Sequence, residues 1–258
     1  MKIALTISSL LLFSYICTSL LLYIFQRDFL YFPSPKYDHS FERFSLSNEG
    51  EALEIIALNK GNAKALIYFG GNAEAVVANA EDFSSNFSDT TIYLVNYRGY
   101  GGSIGKPTEA GNYADALAVY DHVKKDHSQI FVAGRSLGSG VATYLAANRS
   151  LESVVLITPY DSILNIAKAN YSIFPVSLLL KDRYDSVSRT NAIKSKVLVI
   201  AAEQDVVIPM SHTQNLVKAF RDDQVQFEVI KNTGHNDVSF NPDYYEVFKG
   251  FLGENGEK

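Results

Sequence analysis

Ser136, Asp205 and His235 are side chains of the three types that together turn a hydroxyl into a nucleophile. Ser136 stands at the centre of Gly134-Arg135-Ser136-Leu137-Gly138, a G-x-S-x-G pattern. The apolar run Ile130-Phe131-Val132-Ala133 leads into it, and the small-residue run of positions 139–147 leads out. That order predicts strand, sharp turn and helix, the context in which the pattern makes a nucleophile elbow. Side chains two residues before and two after the serine would collide across such a turn, hence Gly134 and Gly138. The serine would also stand at a helix N-terminus, where unpaired N–H groups and the helix dipole favour developing negative charge. The Leu137 amide would then be one donor to an oxyanion. The competing reading is a glycine-rich turn that only packs, so the partners of Ser136 have to decide.

A serine hydroxyl is a poor nucleophile until a base takes its proton, and the usual base is a histidine held by a carboxylate. Of five histidines, His235 lies in Thr233-Gly234-His235-Asn236-Asp237, just after the last apolar run. His39, His122, His127 and His212 fall before the parallel strands or on helices and are expected to be solvated surface residues. Asp205 follows the run Val197-Leu198-Val199-Ile200 and is the expected acid. Asp161, one strand earlier, is its rival; Glu203 lies closer to the strand end and is the weaker candidate. The order serine, aspartate, histidine is that of the α/β-hydrolase fold.

These residues need strands to carry them. Phe41-Glu42-Arg43-Phe44-Ser45-Leu46 and Leu53-Glu54-Ile55-Ile56-Ala57-Leu58 read as paired strands around the turn Asn48-Glu49-Gly50. Apolar strands centred on residues 65–69, 91–96, 130–133, 154–157, 197–200 and 225–230 then follow, with helices expected over 73–83 and 112–125. Apolar strands alternating with helices predict an α/β domain, a mostly parallel sheet covered on both faces, with ligands bound beyond the carboxyl ends of the strands.

With that framework, the chain resembles the α/β-hydrolase superfamily. The likeness rests on Ser136, Asp205 and His235 and on the loop Asn96-Tyr97-Arg98-Gly99-Tyr100-Gly101-Gly102-Ser103. More narrowly, Gly71-Asn72-Ala73, Gly234-His235-Asn236-Asp237 and the N-terminal Gln26-Arg27…Tyr31-Phe32-Pro33 are similar to the membrane-anchored branch that holds the α/β-hydrolase-domain depalmitoylases and related bacterial serine hydrolases. The resemblance covers nearly the whole chain and implies a serine hydrolase acting on ester or thioester bonds without a cofactor. It implies the backbone N–H of Asn72 as the second oxyanion donor beside Leu137. The family commonly has His-Gly-Asn where this chain has Gly70-Gly71-Asn72, a change expected to loosen that loop.

Composition narrows the function classes. The net charge is -5 with no basic stripe, which argues against nucleic acid as a partner. Cys17 is the single cysteine, so the domain has no disulfide and no cysteine-ligated metal, and no histidine cluster suggests another metal site. Residues 3–25 are almost unbroken apolar sequence, about 30 Å or more as a helix and enough to cross a bilayer. A cleaved signal is the alternative, although no small-x-small cleavage site is clear. The expected organisation is therefore a single-pass membrane anchor at 1–27 and an α/β-hydrolase domain at 28–258. The balance of Lys2 and the terminal amine against Arg27 favours a domain outside the cytoplasm.

Residues 165–195, with Tyr171-Ser172-Ile173-Phe174-Pro175-Val176-Ser177-Leu178-Leu179-Leu180, form either a short cap over the site or an ordinary crossover helix. An apolar cap beside an anchor would suit lipid-like acyl ester substrates. Two rivals to an esterase remain: a serine aminopeptidase-like enzyme with the same residues, and a membrane-tethered binding protein with a degenerate hydrolase fold. A dienelactone-type hydrolase would usually carry cysteine at position 136, so serine points away from it.

Overall fold

The computed structural model describes residues 1–256. Its N-terminal helix α1 (Lys2–Leu30) has no buried side chain, and with a mean hydropathy of 2.0 over 18 of its residues it is long and apolar enough to span a membrane. It extends past the predicted apolar stretch and stops before Tyr31, whose extended backbone turns the chain into the proline-containing segment that follows.

β1 (Arg43–Asn48) and β2 (Glu51–Leu58) pair antiparallel. Glu49 and Gly50 both take positive φ, 50° and 83°, as the two-residue hairpin turn of this hand requires. β3 (Lys64–Phe69) is followed by a 3-10 turn (Val76–Asn79) and α2 (Ala80–Asn86) rather than by one helix from residue 73. Ala73 has a φ of 60° and Ala75 is extended, so the chain cannot coil before Val76. Then come β4 (Thr90–Val95), α3 (Glu109–Val123), β5 (Gln129–Arg135), α4 (Leu137–Asn148) and β6 (Ser153–Ile157). Two short helices, α5 (Ile163–Asn170) and α6 (Val176–Leu179), and a 3-10 turn (Val187–Ala192) lead to β7 (Lys196–Ala202). The chain closes with α7 (Met210–Ala219), β8 (Val225–Ile230) and α8 (Pro242–Gly256).

The strands make one eight-stranded sheet in the order β1-β2-β4-β3-β5-β6-β7-β8, antiparallel at β1-β2-β4 and parallel from β4 onward. Side chains alternate across the sheet. Ile67, Phe69, Val132 and Val199 face a layer containing Tyr113, Val119, Val141, Leu145 and Leu216 from α3, α4 and α7. Leu66, Tyr68, Phe131 and Ile200 face Phe83, Tyr244 and Phe248 from α2 and α8. Both faces are covered, so the central strands are apolar throughout, as the sequence predicts.

Candidate active site

Sheet order decides what meets what. From β3 the chain steps outward to β4 on one side, and β5 then returns to the other side of β3. Ligand crevices form where strand order reverses in this way. The loop after β3, which carries Asn72, and the turn after β5, which carries Ser136, therefore share one crevice.

Ser136 has φ 47° and ψ −115°, a left-handed conformation that costs a residue with a side chain about 1–3 kcal/mol. The surroundings impose it. A Cβ on Gly134 would collide with the Gly138 carbonyl, and one on Gly138 with the Phe69 carbonyl, so α4 approaches β5 and β3 only because both residues are glycine. The Ser136 amide donates to the Ile157 carbonyl at 2.8 Å, and its side chain projects from the N-terminus of α4.

His235 reaches Ser136 from the loop after β8. The His235 Nδ1–H donates to Asp205 Oδ2 at 2.7 Å, and the Ser136 hydroxyl donates to His235 Nε2 at 2.9 Å. An ionised carboxylate only accepts, so it selects the tautomer with the proton on Nδ1 and leaves Nε2 free to take the serine proton. Asp205 is oriented in turn by the Val207 and Ile208 amides, which donate to its Oδ1 at 2.9 and 2.8 Å. The imidazole is only 8% exposed, so water competes little for its hydrogen bonds.

Asp161, the rival acid, is engaged elsewhere. It is buried at the end of β6 and accepts the His212 Nδ1–H at 2.8 Å, together with the Ser162 amide and the side-chain amides of Asn165 and Asn215. His212 is thus a paired residue rather than a solvated one, and the expectations for His127 and His39 also need correcting, while His122 stays partly exposed. His127 is buried between the Tyr93 hydroxyl and the Asn62 carbonyl. His122 lies with its ring 5.0 Å from that of Phe44. The ring nitrogens of His39 are buried without a protein partner among the described residues. A histidine on a helix or before the sheet still meets whatever packs against it, and sequence position does not report that.

The loop after β3 holds the second candidate donor. Among the described residues neither the Leu137 nor the Asn72 amide has a protein acceptor. Gly71 lies so close to Ser136 that a methyl group in place of its hydrogen would stand 3.7 Å from Ser136 Cβ. In place of the missing histidine, other residues hold the loop. A side chain at Gly70 would crowd Val76 and Glu74, so the space that such a residue would need is filled. The Gly71 amide donates to Glu74 Oε2 at 2.6 Å, and the Tyr97 hydroxyl donates to the Gly70 carbonyl at 2.8 Å.

Glu74 and Arg135 are residues that sequence reasoning missed. Glu74 Oε1 also accepts from the Tyr68 hydroxyl at 2.7 Å and from Asn79. Burial, and next the Glu74 charge, push the Tyr68 phenol well above its ordinary value, so it remains a donor. Arg135 pairs with Glu74 at 3.7 Å and donates to the His235 carbonyl at 3.1 Å. One guanidinium thereby ties the histidine loop to the loop after β3. The available signal was positional: Arg135 occupies the first variable place of the elbow, and Glu74 follows Asn72 by two residues.

The Asn72 side chain bonds to the segment at the end of the apolar helix. Its Nδ2 donates to the Leu30 carbonyl at 2.7 Å, while its Oδ1 accepts from the Phe32 amide at 3.0 Å and the Tyr100 hydroxyl at 2.7 Å. Tyr31, adjoining that segment, is buried with its hydroxyl 2.9 Å from that of Tyr184, while Phe32 is half exposed. Leu30 also lines an apolar groove of about 250 Å³ between α1 and the α5–α6 segment, together with Leu22, Phe29, Ile166, Phe174 and Leu179. Among the described residues no three His, Cys, Asp or Glu side chains gather as a metal-ligand set.

Comparison with known proteins follows the same outline. The family model for the dienelactone hydrolase family matches residues 106–246, just over half of the chain and all of the stretch from before the elbow to beyond His235. A protein of Mycobacterium tuberculosis described as uncharacterized is 35% identical over 151 residues, which is 57% of this chain and 53% of that protein. The human alpha/beta hydrolase domain-containing protein 17B is 29% identical over 171 residues, 63% of this chain and 56% of its own length. The chain thus spans about half the length of these curated relatives. Among solved structures, the Pyrococcus furiosus esterase Pf2001 superposes with a TM-score of 0.68 at 17% identity, over 87% of this chain and 96% of that one, a likeness of fold. The expectation that serine at position 136 sets the chain apart from dienelactone-type hydrolases is overturned by the family match.

Proposed function

Because the chain belongs to the dienelactone hydrolase family of the α/β-hydrolase superfamily, we propose that it is a membrane-anchored serine hydrolase cleaving carboxylic ester or thioester bonds. The observation that carries this reading is the single imidazole bonded to Asp205 on one side and to the Ser136 hydroxyl on the other. In the reaction His235 takes the Ser136 proton at Nε2 as Oγ attacks the acyl carbonyl carbon. Asp205 stabilises the imidazolium that forms. The Leu137 and Asn72 amides donate to the oxyanion. The imidazolium returns its proton to the departing alcohol or thiol, leaving an acyl-serine. Water, deprotonated by the same histidine, then releases the acid and restores the serine.

The apolar groove between α1 and the α5–α6 segment supports an acyl group with a hydrocarbon tail as substrate, with residues 165–195 acting as a short cap. Residues 1–27 act as the anchor and residues 28–258 as the catalytic domain. The basic N-terminal tail supports an extracytoplasmic domain.

The test is labelling by a fluorophosphonate followed by turnover of a p-nitrophenyl ester series from acetyl to dodecanoyl, with aminoacyl amides in parallel. Labelling at Ser136 and faster hydrolysis of the medium and long chains are expected. No labelling would leave a binding protein as the better account, and amide turnover exceeding ester turnover would make it a peptidase.

A further inference from the structure

The segment between α5 and Lys181 lies along the wrong part of α1 for a protein domain that merely sits above a membrane. Four residues of α1 mark out its path. Arg27 pairs with Asp182 at 2.8 Å, and the Lys181 ammonium lies 4.1 Å from the centre of the Tyr23 ring. Gln26 takes the Lys181 amide at 2.7 Å and donates to the Leu179 carbonyl at 3.1 Å. Tyr15 stacks on Phe174 at 5.4 Å, and its hydroxyl donates to the Ile173 carbonyl at 2.9 Å. From Arg27 to Tyr15 the helix rises about 18 Å. If the apolar stretch of α1 fills the hydrocarbon layer, about 30 Å thick, Tyr15 stands near its middle.

The sequence of the segment suits that depth. Residues 169–180 carry no charge, while Lys168, Lys181, Asp182 and Arg183 flank them. Tyr171, Ile173 and Leu178 present their side chains outward, Ile173 at 73% and Leu178 at 82% exposure, an arrangement unfavourable in water and favourable in lipid. Backbone in hydrocarbon must find its hydrogen bonds within the protein, and non-helical backbone survives there only against other protein. Here the Ile173 and Leu179 carbonyls take their donors from Tyr15 and Gln26 of α1, and the Ser177 carbonyl takes one from Arg183.

We propose that residues 169–180 are immersed with α1 in the acyl-chain layer of a phospholipid bilayer, so that the groove between them lies at lipid depth. This rests on the reading of α1 as membrane-inserted, not on the hydrolase chemistry. The catalytic crevice then borders the membrane through Leu30 and Asn72, and a lipid acyl chain enters the groove without crossing water.

The chain contains no tryptophan, so a single introduced one is its only indole. Full-length Ile173→Trp and Leu178→Trp would be reconstituted in phosphatidylcholine vesicles with and without lipids brominated along the acyl chain. Leu11→Trp in α1 serves as the inserted reference, and Lys194→Trp, before β7 at the opposite sheet edge, as the aqueous one. Circular dichroism checks that each variant folds. Emission from positions 173 and 178 should be blue-shifted and quenched at least twofold, close to position 11, while position 194 is unaffected. Quenching at 11 with none at 173 and 178 would overturn the immersion alone. No quenching at 11 would overturn it together with the insertion of α1. Ester turnover, measured separately, bears on neither result.

Discussion

Two aspartate–histidine pairs follow neighbouring strands, and only one of them meets a serine hydroxyl. Asp205 follows β7 and Asp161 follows β6; each accepts a histidine Nδ1–H, at 2.7 and 2.8 Å. Both carboxylates also accept backbone amides. The difference lies beyond the imidazole. His235 Nε2 receives the Ser136 hydroxyl, whereas no hydroxyl bonds to His212 Nε2 among the described residues. Asp161 further accepts from Asn165 in α5 and Asn215 in α7, so that pair ties two helices to the sheet edge. A carboxylate–histidine pair is thus a common structural device, and it becomes chemistry only where a third group is held in line.

The sharpest way to break this contrast is to remove the third group. Ser136→Ala should lower kcat for p-nitrophenyl esters by about a million-fold, leaving the turnover that binding and the oxyanion donors provide alone. Activity within tenfold of the parent would end the assignment. The matched pair Asp205→Asn and Asp161→Asn comes next. The first should cost about ten-thousand-fold in kcat by favouring the wrong histidine tautomer. The second should change kcat by less than about threefold while lowering thermal stability by about 1–3 kcal/mol, because a buried group loses its partner. Equal kinetic losses would mean that Asp161 also serves the reaction.

A smaller effect should come from the loop that carries Asn72. Glu74→Gln weakens the hold on the Gly71 amide and on Arg135, and should reduce kcat by about ten- to a hundredfold with little change in KM, short of the full loss of a donor. A rise in KM with kcat intact would instead place Glu74 in substrate binding. Smallest of all is His212→Ala, which should leave both constants within about twofold and cost about 1–2 kcal/mol on a denaturant curve. A large fall in kcat there would erase the distinction between the two pairs.

Where sequence reading succeeded and where it did not has a physical basis. The elbow was legible because steric exclusion acts over five residues, and only glycine relieves it at 134 and 138. The strands were legible because burial on both faces demands apolar runs. The break in the expected helix after residue 73 was hidden, since it depends on Ala73 accepting a positive φ while Glu74 bonds back to Gly71. His212 was misread because a helix position reveals the side of a helix but not the carboxylate that waits beside it. Glu74 and Arg135 went unnoticed because their partners lie in loops that follow different strands.

By itself, the amino-acid sequence determined the strand–helix alternation, the apolar helix at the N-terminus, the strained turn at Ser136 and the set of residues able to share a proton. Those follow from rules that act locally: side-chain periodicity, backbone sterics and hydrophobic run length. The choice between Asp161 and Asp205, the pinning of the Asn72 loop and the path of residues 169–180 along α1 belong to the tertiary structure. Strand order brings the loops to one edge, and packing against residues distant in the chain aims the side chains there, which no local pattern encodes.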